Sequence, residues 1–411
     1  MPSPEFFFVQ PVADALQLVF NHWRPALQTE TISTYSALSR MVACDIVSPE
    51  AIPSFRKSTM DGYAVRAKDT HGASQSLPIY FKVVGHVAMG QAPEVAIGSG
   101  EAVHIHTGGM LPNSADAVVM VEHTQAINEH EIEVLKAVAN GENVIQIGED
   151  VKQGEALLPA NHMIRPQDIG GLLAVGITEI DVVRRPRIGI LSCGDELIPP
   201  EETPQPGQIR DINAYTLSAL VETLGGIPVQ LGIAPDTLEE YRRYAHDGFQ
   251  QCDILIMTAG SSVSARDFTH DVIQSLGEPG VLQHGLATKP GKPTILAVCS
   301  DKPVIGLPGN PVSALLVARQ LLPALIAQFM HQPIKQPKIM QARLSANIAS
   351  VTGREDWIPA KLISDSESII ARPIFGKSNL IFMLVQADGL IRVPINSGGL
   401  KADTMVDVIV F

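Results

Sequence analysis

The chain has 411 residues, of which 45% are hydrophobic and only 5% aromatic, and its net charge is −13 from 43 acidic and 30 basic side chains. That length argues for ~3 domains, and the apolar share is enough to fill several cores. The acidic balance excludes general nucleic-acid binding, which needs a basic face. Cys44, Cys193, Cys252 and Cys299 show no CxxC spacing, which argues for a reducing compartment and against a zinc module. The N-terminus has no basic segment ahead of an unbroken apolar run, and the longest apolar stretch, 311–330, contains Arg319 and Gln320. A cytoplasmic protein without a membrane span is expected.

In chain order, helical periodicity covers VADALQLVFNHW and then TYSALSRMVA (34–43). Residues 56–148 read as short strands split by turns, for example 77–87, 101–108, 115–123 and 131–138, so a mostly β module is predicted. A turn, a short strand, a helix over 166–176 and a strand follow up to 183. The pattern then alternates. Strands are predicted at 187–197, 227–235, 253–262, 292–299 and 303–311, and helices at 214–226, 237–251, 271–280 and 311–330. Such alternation means a mainly parallel α/β sheet covered on both faces. After residue 333 the text is β again and predicts a small barrel.

Ligands of an open parallel sheet sit beyond the C-terminal strand ends. One such end runs through GLPGNPVS (306–313) into a helix starting near Pro311, with Asn310 placed to act as N-cap. Free N–H groups there would favour an anion, although an ordinary strand–turn–helix corner reads the same way. TAGSSVSARD (258–267) offers small residues and the hydroxyls of Ser261, Ser262 and Ser264, but it is neither a Walker A loop nor GxGxxG. In KPGKP (289–293) each lysine precedes a proline, which biases it toward extended backbone. Three extended steps span at most ~10 Å, so both ammonium groups can serve one polyanion. Asp61, Asp150, Asp195, Glu196, Asp211, Asp236 and Asp267 stand at turns, and such oxygens suit Mg²⁺ held partly by substrate phosphates. The histidines form no HxxxH or HExxH pattern and no GxSxG elbow appears, so a histidine metal site or a hydrolase triad is not supported.

These stretches together resemble the molybdopterin molybdenumtransferase family, the bacterial MoeA proteins and the E domain of gephyrin. The resemblance rests on SxMDGYAV (58–65), TGGxLPxxADAVVMVE (107–122), GED (148–150), RPRIGILSCGDEL (185–197), GQIRDIN (207–213) and KPGKP…GLPGNPVSAL (289–315). Their order agrees from about residue 8 to residue 398.

The resemblance implies a multidomain α/β plus β protein with four domains. Residues 1–49 and 149–183 form an elongated domain, and 50–148 an inserted β-rich domain. Residues 184–333 form a molybdopterin-binding three-layer α/β domain, and 334–411 a C-terminal β-barrel. It also implies a homodimer and a reaction in which molybdate enters adenylylated molybdopterin and AMP leaves, with Mg²⁺. Carried over residue by residue, Asp61, Thr107, Glu196, Asp236, Lys289 and Lys292 take part in catalysis. Ser58, Gly260, Ser261, Ser262, Ser264, Gly309, Asn310, Pro311, Ser313 and Ser378 bind the pterin substrate. Asp61, Asp150, Glu196 and Asp267 ligate metal. A molybdopterin adenylyltransferase and downstream molybdoenzyme maturation proteins are the implied partners.

There are departures. The family loop reads Ser-Gly-Gly-Val-Ser-x-Gly, whereas here Ser261 and Ala265 replace glycines and the spacing to Asp267 is one shorter. Cys193 stands where threonine is common. The altered loop raises tungstate as an alternative to molybdate. Two other functions compete: an adenylyltransferase acting on molybdopterin with ATP, which would need only 184–333, and a scaffold that keeps the fold without the chemistry.

Overall fold

The computed structural model describes residues 9–259, 263–364 and 368–411, with the helix backbone alone for 263–267. The chain forms two compact units, Thr29–Val183 and the segment before Thr29 together with Arg184–Phe411.

In the Thr29–Val183 unit a six-stranded sheet runs in the order Ala117–Met120, Gly62–Val65, Glu101–Ile105, Ile79–His86, Glu131–Val134, Thr124–Asn128. Successive side chains of a strand point to opposite faces. Ala64, Val103 and Val118 therefore build one core cluster, and their neighbours Val65, Ala102 and Val119 build the other. Gly62 is a steric requirement of this sheet, because a Cβ there would lie 2.0 Å from the Val119 carbonyl oxygen. Beyond the sheet, Thr29–Ser33 pairs with Glu179–Val183 and Ile46–Val47 with Ala156–Leu158, beside the helix Pro166–Ala174.

The helix expected at 34–43 does not form. A single 3-10 turn, Thr34–Ser36, is followed by Ser39 at φ 60° and by β-bridges from Met41 to Met163 and from Val42 to Val182. Tertiary pairing buries the apolar residues that looked like a helical stripe.

Asp168 anchors the start of the Pro166–Ala174 helix. Its carboxylate is buried and accepts the Arg165 N–H at 2.8 Å, the Arg165 guanidinium at 2.9 and 3.0 Å, and contacts His162 Nε2 at 2.7 Å. The Arg165 side chain first, and then His162, hold this carboxyl well below its ordinary value. A depressed carboxyl stabilises the fold above its unfolded pKa and loses that contribution as pH falls. Asp168→Asn is therefore expected to cost about 1–3 kcal/mol at pH 7 and to flatten the fall in melting temperature between neutral and acid pH. A thermal melt series across that range, identical for both proteins, would disprove the role.

In the second unit a six-stranded sheet runs in the order Ile227–Ala234, Arg187–Cys193, Ile254–Ala259, Lys302–Pro308, Ile295–Cys299, Pro279–His284. The first four strands are parallel, and Ile295–Cys299 is antiparallel to both its neighbours. One helix begins earlier than periodicity suggested. It spans Val263–Gln274, and 279–284 is a strand. Val272, Ile273 and Leu276, with Phe268 beside them, pack on the buried core of Leu191, Tyr241 and Met257, and this stripe sets the helix.

The helix Pro311–Phe329 is long and apolar enough to cross a membrane by length and composition, but 72% of its most apolar window is buried inside the unit. It is a core helix. Val12–His22 also packs here, with Ala287 N–H donating to the Gln10 carbonyl at 2.7 Å.

The C-terminal strands close a five-stranded barrel. Glu355–Ser364, Ile369–Pro373, Ile339–Leu344, Met405–Val410 and Gly389–Val393 pair in turn, and the last returns to the first. Ala342, Leu344, Ala360, Ala371, Ile391 and Val408 fill its interior.

Candidate functional site

Because Ile295–Cys299 runs backwards, its N-terminal end lies at the sheet edge where the parallel strands finish. KPGKP, which leads into it, is thereby placed beside GLPGNPVS. The lysines are not both extended. Lys289 lies in the short strand Thr288–Lys289, which pairs in parallel with Glu355 and Asp356 of the barrel, and its peptide to Pro290 is cis. Lys292 lies in a turn, and its carbonyl accepts the Leu286 N–H at 2.9 Å.

The result is a cleft of about 760 Å³ between the sheet edge and the barrel. Of the residues expected in the site, Lys289, Lys292, Gly309, Asn310, Ser313 and Ser378 line it. The barrel adds Arg354, Trp357 and Lys377. Four cationic side chains and no carboxylate line the cleft among the described residues. In a chain of net charge −13 this is a local reversal of sign, and it favours a polyanion.

The helix start is less open than the sequence suggests. Asn310 occupies the N-cap position of Pro311–Phe329 without a side-chain cap bond. Its Nδ2 donates instead to Ser378 Oγ at 3.1 Å, and Val312 N–H donates to the Ser378 carbonyl at 3.1 Å. One donor expected to face a ligand is thus used to stitch the barrel loop to the helix. Pro311 has no N–H to offer and does not line the cleft. The Gly309 carbonyl accepts Asn213 Nδ2 at 2.8 Å. Asn213 starts a helix held by Asp211, whose buried Oδ1 accepts the N–H groups of Asn213 and Ala214.

Glu196 and Asp236 follow the ends of two neighbouring strands at the same edge, without lining the cleft. Asp195 Oδ1 accepts the Asp236 N–H at 3.0 Å. Burial pushes the Cys193 thiol up to about 12, and the charges of Asp236, Asp195 and Glu196 add to this. A thiol so raised is no nucleophile at neutral pH.

In the other unit, Asp61 and Thr107, 46 residues apart, meet. Asp61 Oδ1 accepts the Thr107 N–H at 2.8 Å and its hydroxyl at 3.3 Å, with His106 Nδ1 at 3.4 Å. The Thr107 amide first, then His106 and the Thr107 hydroxyl, hold the Asp61 carboxyl below its ordinary value. Ser58 is buried, and both of its hydroxyl bonds are to Met60 of its own turn, at 2.6 and 3.2 Å. Asp150 is exposed in a turn. Gly260, Ser261 and Ser262 lie outside the described residues, as do the side chains of Ser264 and Asp267.

Three family descriptions match in this order: MoeA N-terminal region (domain I and II) over 10–176, probable molybdopterin binding domain over 189–327, and MoeA C-terminal region (domain IV) over 341–411. A putative molybdopterin biosynthesis protein of Methanocaldococcus jannaschii is 35% identical over 97% of this chain and 98% of its own length. The chain belongs to the MoeA family. A molybdopterin molybdenumtransferase of Haemophilus influenzae is 36% identical over 80% of each chain. The crystal structure of a MoeA protein from Pyrococcus horikoshii superposes with a TM-score of 0.84 at 35% identity, covering 98% of this chain and 99% of that one.

Arg354 is the residue of this MoeA-family site that sequence reasoning missed. Arg354 belongs to none of the motifs read from the sequence, and its cation lies in the cleft beside Lys289, where Thr288–Lys289 pairs with Glu355 and Asp356. As to a resident metal, no group of three or more His, Cys, Asp or Glu side chains converges among the described residues. They form no ready Mg²⁺ cage. Mg²⁺ dehydrates reluctantly and is often held by one or two carboxylates plus substrate phosphates, a mode open to Glu196 or Asp236.

Proposed function

We propose that the chain inserts molybdenum from molybdate into adenylylated molybdopterin and releases AMP. The observation that carries this is the cleft lined by Lys289, Lys292, Arg354 and Lys377 with no carboxylate among its described residues. Both substrates are polyanions. Fixed cations offset charge as the pyrophosphate bond breaks, and they need no reorganisation at that moment. Lys289 and Lys292 take the phosphates or the molybdate. Ser313, the Gly309 and Asn310 backbone and Ser378 face the pterin. No covalent nucleophile is required.

Asp61, Thr107, Glu196 and Asp236 serve as the remaining catalytic groups, with water positioning and Mg²⁺ ligation as their roles. Asp61, Asp150, Glu196 and Asp267 are the candidate Mg²⁺ ligands, the ion arriving with the substrate phosphates. The four-domain division, a homodimer, a cytoplasmic location, delivery by an adenylyltransferase and hand-over to maturation proteins all belong to this proposal.

The test incubates the purified protein with adenylylated molybdopterin, molybdate and Mg²⁺ and follows AMP and metal-cofactor formation. AMP release that depends on molybdate is the expected result, and a tungstate arm reports metal preference. ATP consumption with unadenylylated pterin would replace this reading with the adenylyltransferase. Binding without turnover would replace it with the scaffold.

A further inference from the structure

Asp356 is a carboxylate that the reaction proposed above does not use. It is 1% exposed at the start of the barrel strand Glu355–Ser364. Its Oδ1 accepts Arg354 Nε at 2.9 Å, and its Oδ2 accepts Arg354 Nη2 at 3.5 Å. Lys289 Nζ lies 4.0 Å from the same Oδ2. The backbone sets this meeting. Thr288 is in register with Glu355 and Lys289 with Asp356, and the Glu355 N–H donates to the Ala287 carbonyl at 2.9 Å. One buried anion thus stands between two cleft cations from distant parts of the chain.

We propose that Asp356 is a positioning residue for the oxyanion site, acting through Arg354 and Lys289. The inference rests on the reading of the cleft as an oxyanion site. A two-point grip on a guanidinium fixes its plane as well as its position, which a single contact does not. Arg354 carries five N–H donors, and the carboxylate takes only part of them. The remainder stay with a side chain that is 35% exposed and lines the cleft. Lys289, 57% exposed, has a long flexible stem that a nearby buried charge restrains.

Asp356 has a second, opposite effect. It cancels part of the positive charge that an oxyanion would feel. The two effects give opposite signs when the charge is removed at constant shape. Loss of positioning weakens oxyanion binding, whereas loss of charge cancellation tightens it. The buried, two-point geometry points to positioning as the larger effect.

The experiment compares the full-length wild type, Asp356→Asn, Arg354→Met and the double variant. Calorimetric binding of molybdate alone is measured, with KM for molybdate, kcat and melting temperature alongside. Asp356→Asn is expected to weaken molybdate binding, and to raise KM, about tenfold, with a smaller change in kcat. In the Arg354→Met background it should add little, because residues acting as one unit are not additive. Unchanged binding, tighter binding, or two effects that simply multiply would each overturn the proposal. A lowered melting temperature with KM unmoved would make Asp356 merely structural and overturn it too.

If Asp356→Asn does not fold, Arg354→Lys is the second variant. It keeps the charge and loses the fork, so it should weaken molybdate binding at a similar melting temperature, and unchanged binding would overturn the proposal. A wild type that binds molybdate but releases no AMP sinks the transferase reading and leaves this one standing. Normal AMP release with an unaltered KM in Asp356→Asn sinks this one alone.

Discussion

Lys292→Ala is expected to lower molybdate-dependent AMP release by about 10²-fold, the scale for removing one preorganised charge-stabilising group. The fold should barely notice. The side chain is exposed, and the bond from Leu286 N–H to the carbonyl of residue 292 survives in alanine. Surface substitutions of this kind usually stay within about 0.5 kcal/mol. The measurement is steady-state AMP release at varied molybdate, paired with a thermal melt. A fall in kcat and kcat/KM together means that the ammonium acts in the transition state, whereas a rise in KM alone means that it holds the ground-state anion. Full activity in the variant would remove Lys292 from the site.

Gly291→Ala should damage both stability and turnover. Gly291 has φ +111°, a conformation that a side chain rarely adopts, and its missing Cβ would lie 2.0 Å from Val317 Cγ2. Val317 is fully buried in the Pro311–Phe329 helix and has nowhere to retreat. Backbone strain and overpacking together amount to about 2–4 kcal/mol. A drop of several degrees in melting temperature follows, and the turn that carries Lys289 and Lys292 shifts with it. Adding Val317→Ala removes the clash but not the φ strain, so the double variant should recover part of the loss. A single variant that melts with the wild type would show that the turn tolerates a Cβ.

Much of the fold was readable from local pattern. The helix Val12–His22, the strands Arg187–Cys193 and Ile254–Ala259 and the helix Pro311–Phe329 all fall where periodicity put them, within a few residues. The failures have a common cause. At 34–43 the apolar spacing suits a helix, yet Met41 and Val42 find strand partners more than a hundred residues away. At 271–280 the apolar spacing suits a helix, yet the helix spans Val263–Gln274, with Phe268, Val272 and Ile273 packed on the core, and 279–284 pairs as a strand. Local propensity sets a preference of tenths of a kcal/mol per residue, and burial of a whole face outweighs it.

The site was half legible for the same reason. KPGKP and GNPVS announce themselves by composition, because lysines, prolines and glycines at fixed spacing leave a mark in the text. Arg354 leaves none, since a lone arginine at a strand start is ordinary. Asn310 was placed correctly as N-cap, but its side chain turns to Ser378, a partner no local rule can supply.

By itself the sequence determined the α/β and β segments, the MoeA-family membership and the presence of a cation-bearing turn in an acidic chain. The tertiary structure alone decided that the antiparallel strand Ile295–Cys299 brings this turn to the edge where the parallel strands end. It alone decided that Thr288–Lys289 joins the barrel opposite Asp356, and that Asp61 meets Thr107. Those outcomes depend on which distant backbone groups satisfy one another's hydrogen bonds and which faces bury together. That is a property of the assembled chain, not of any window of residues within it.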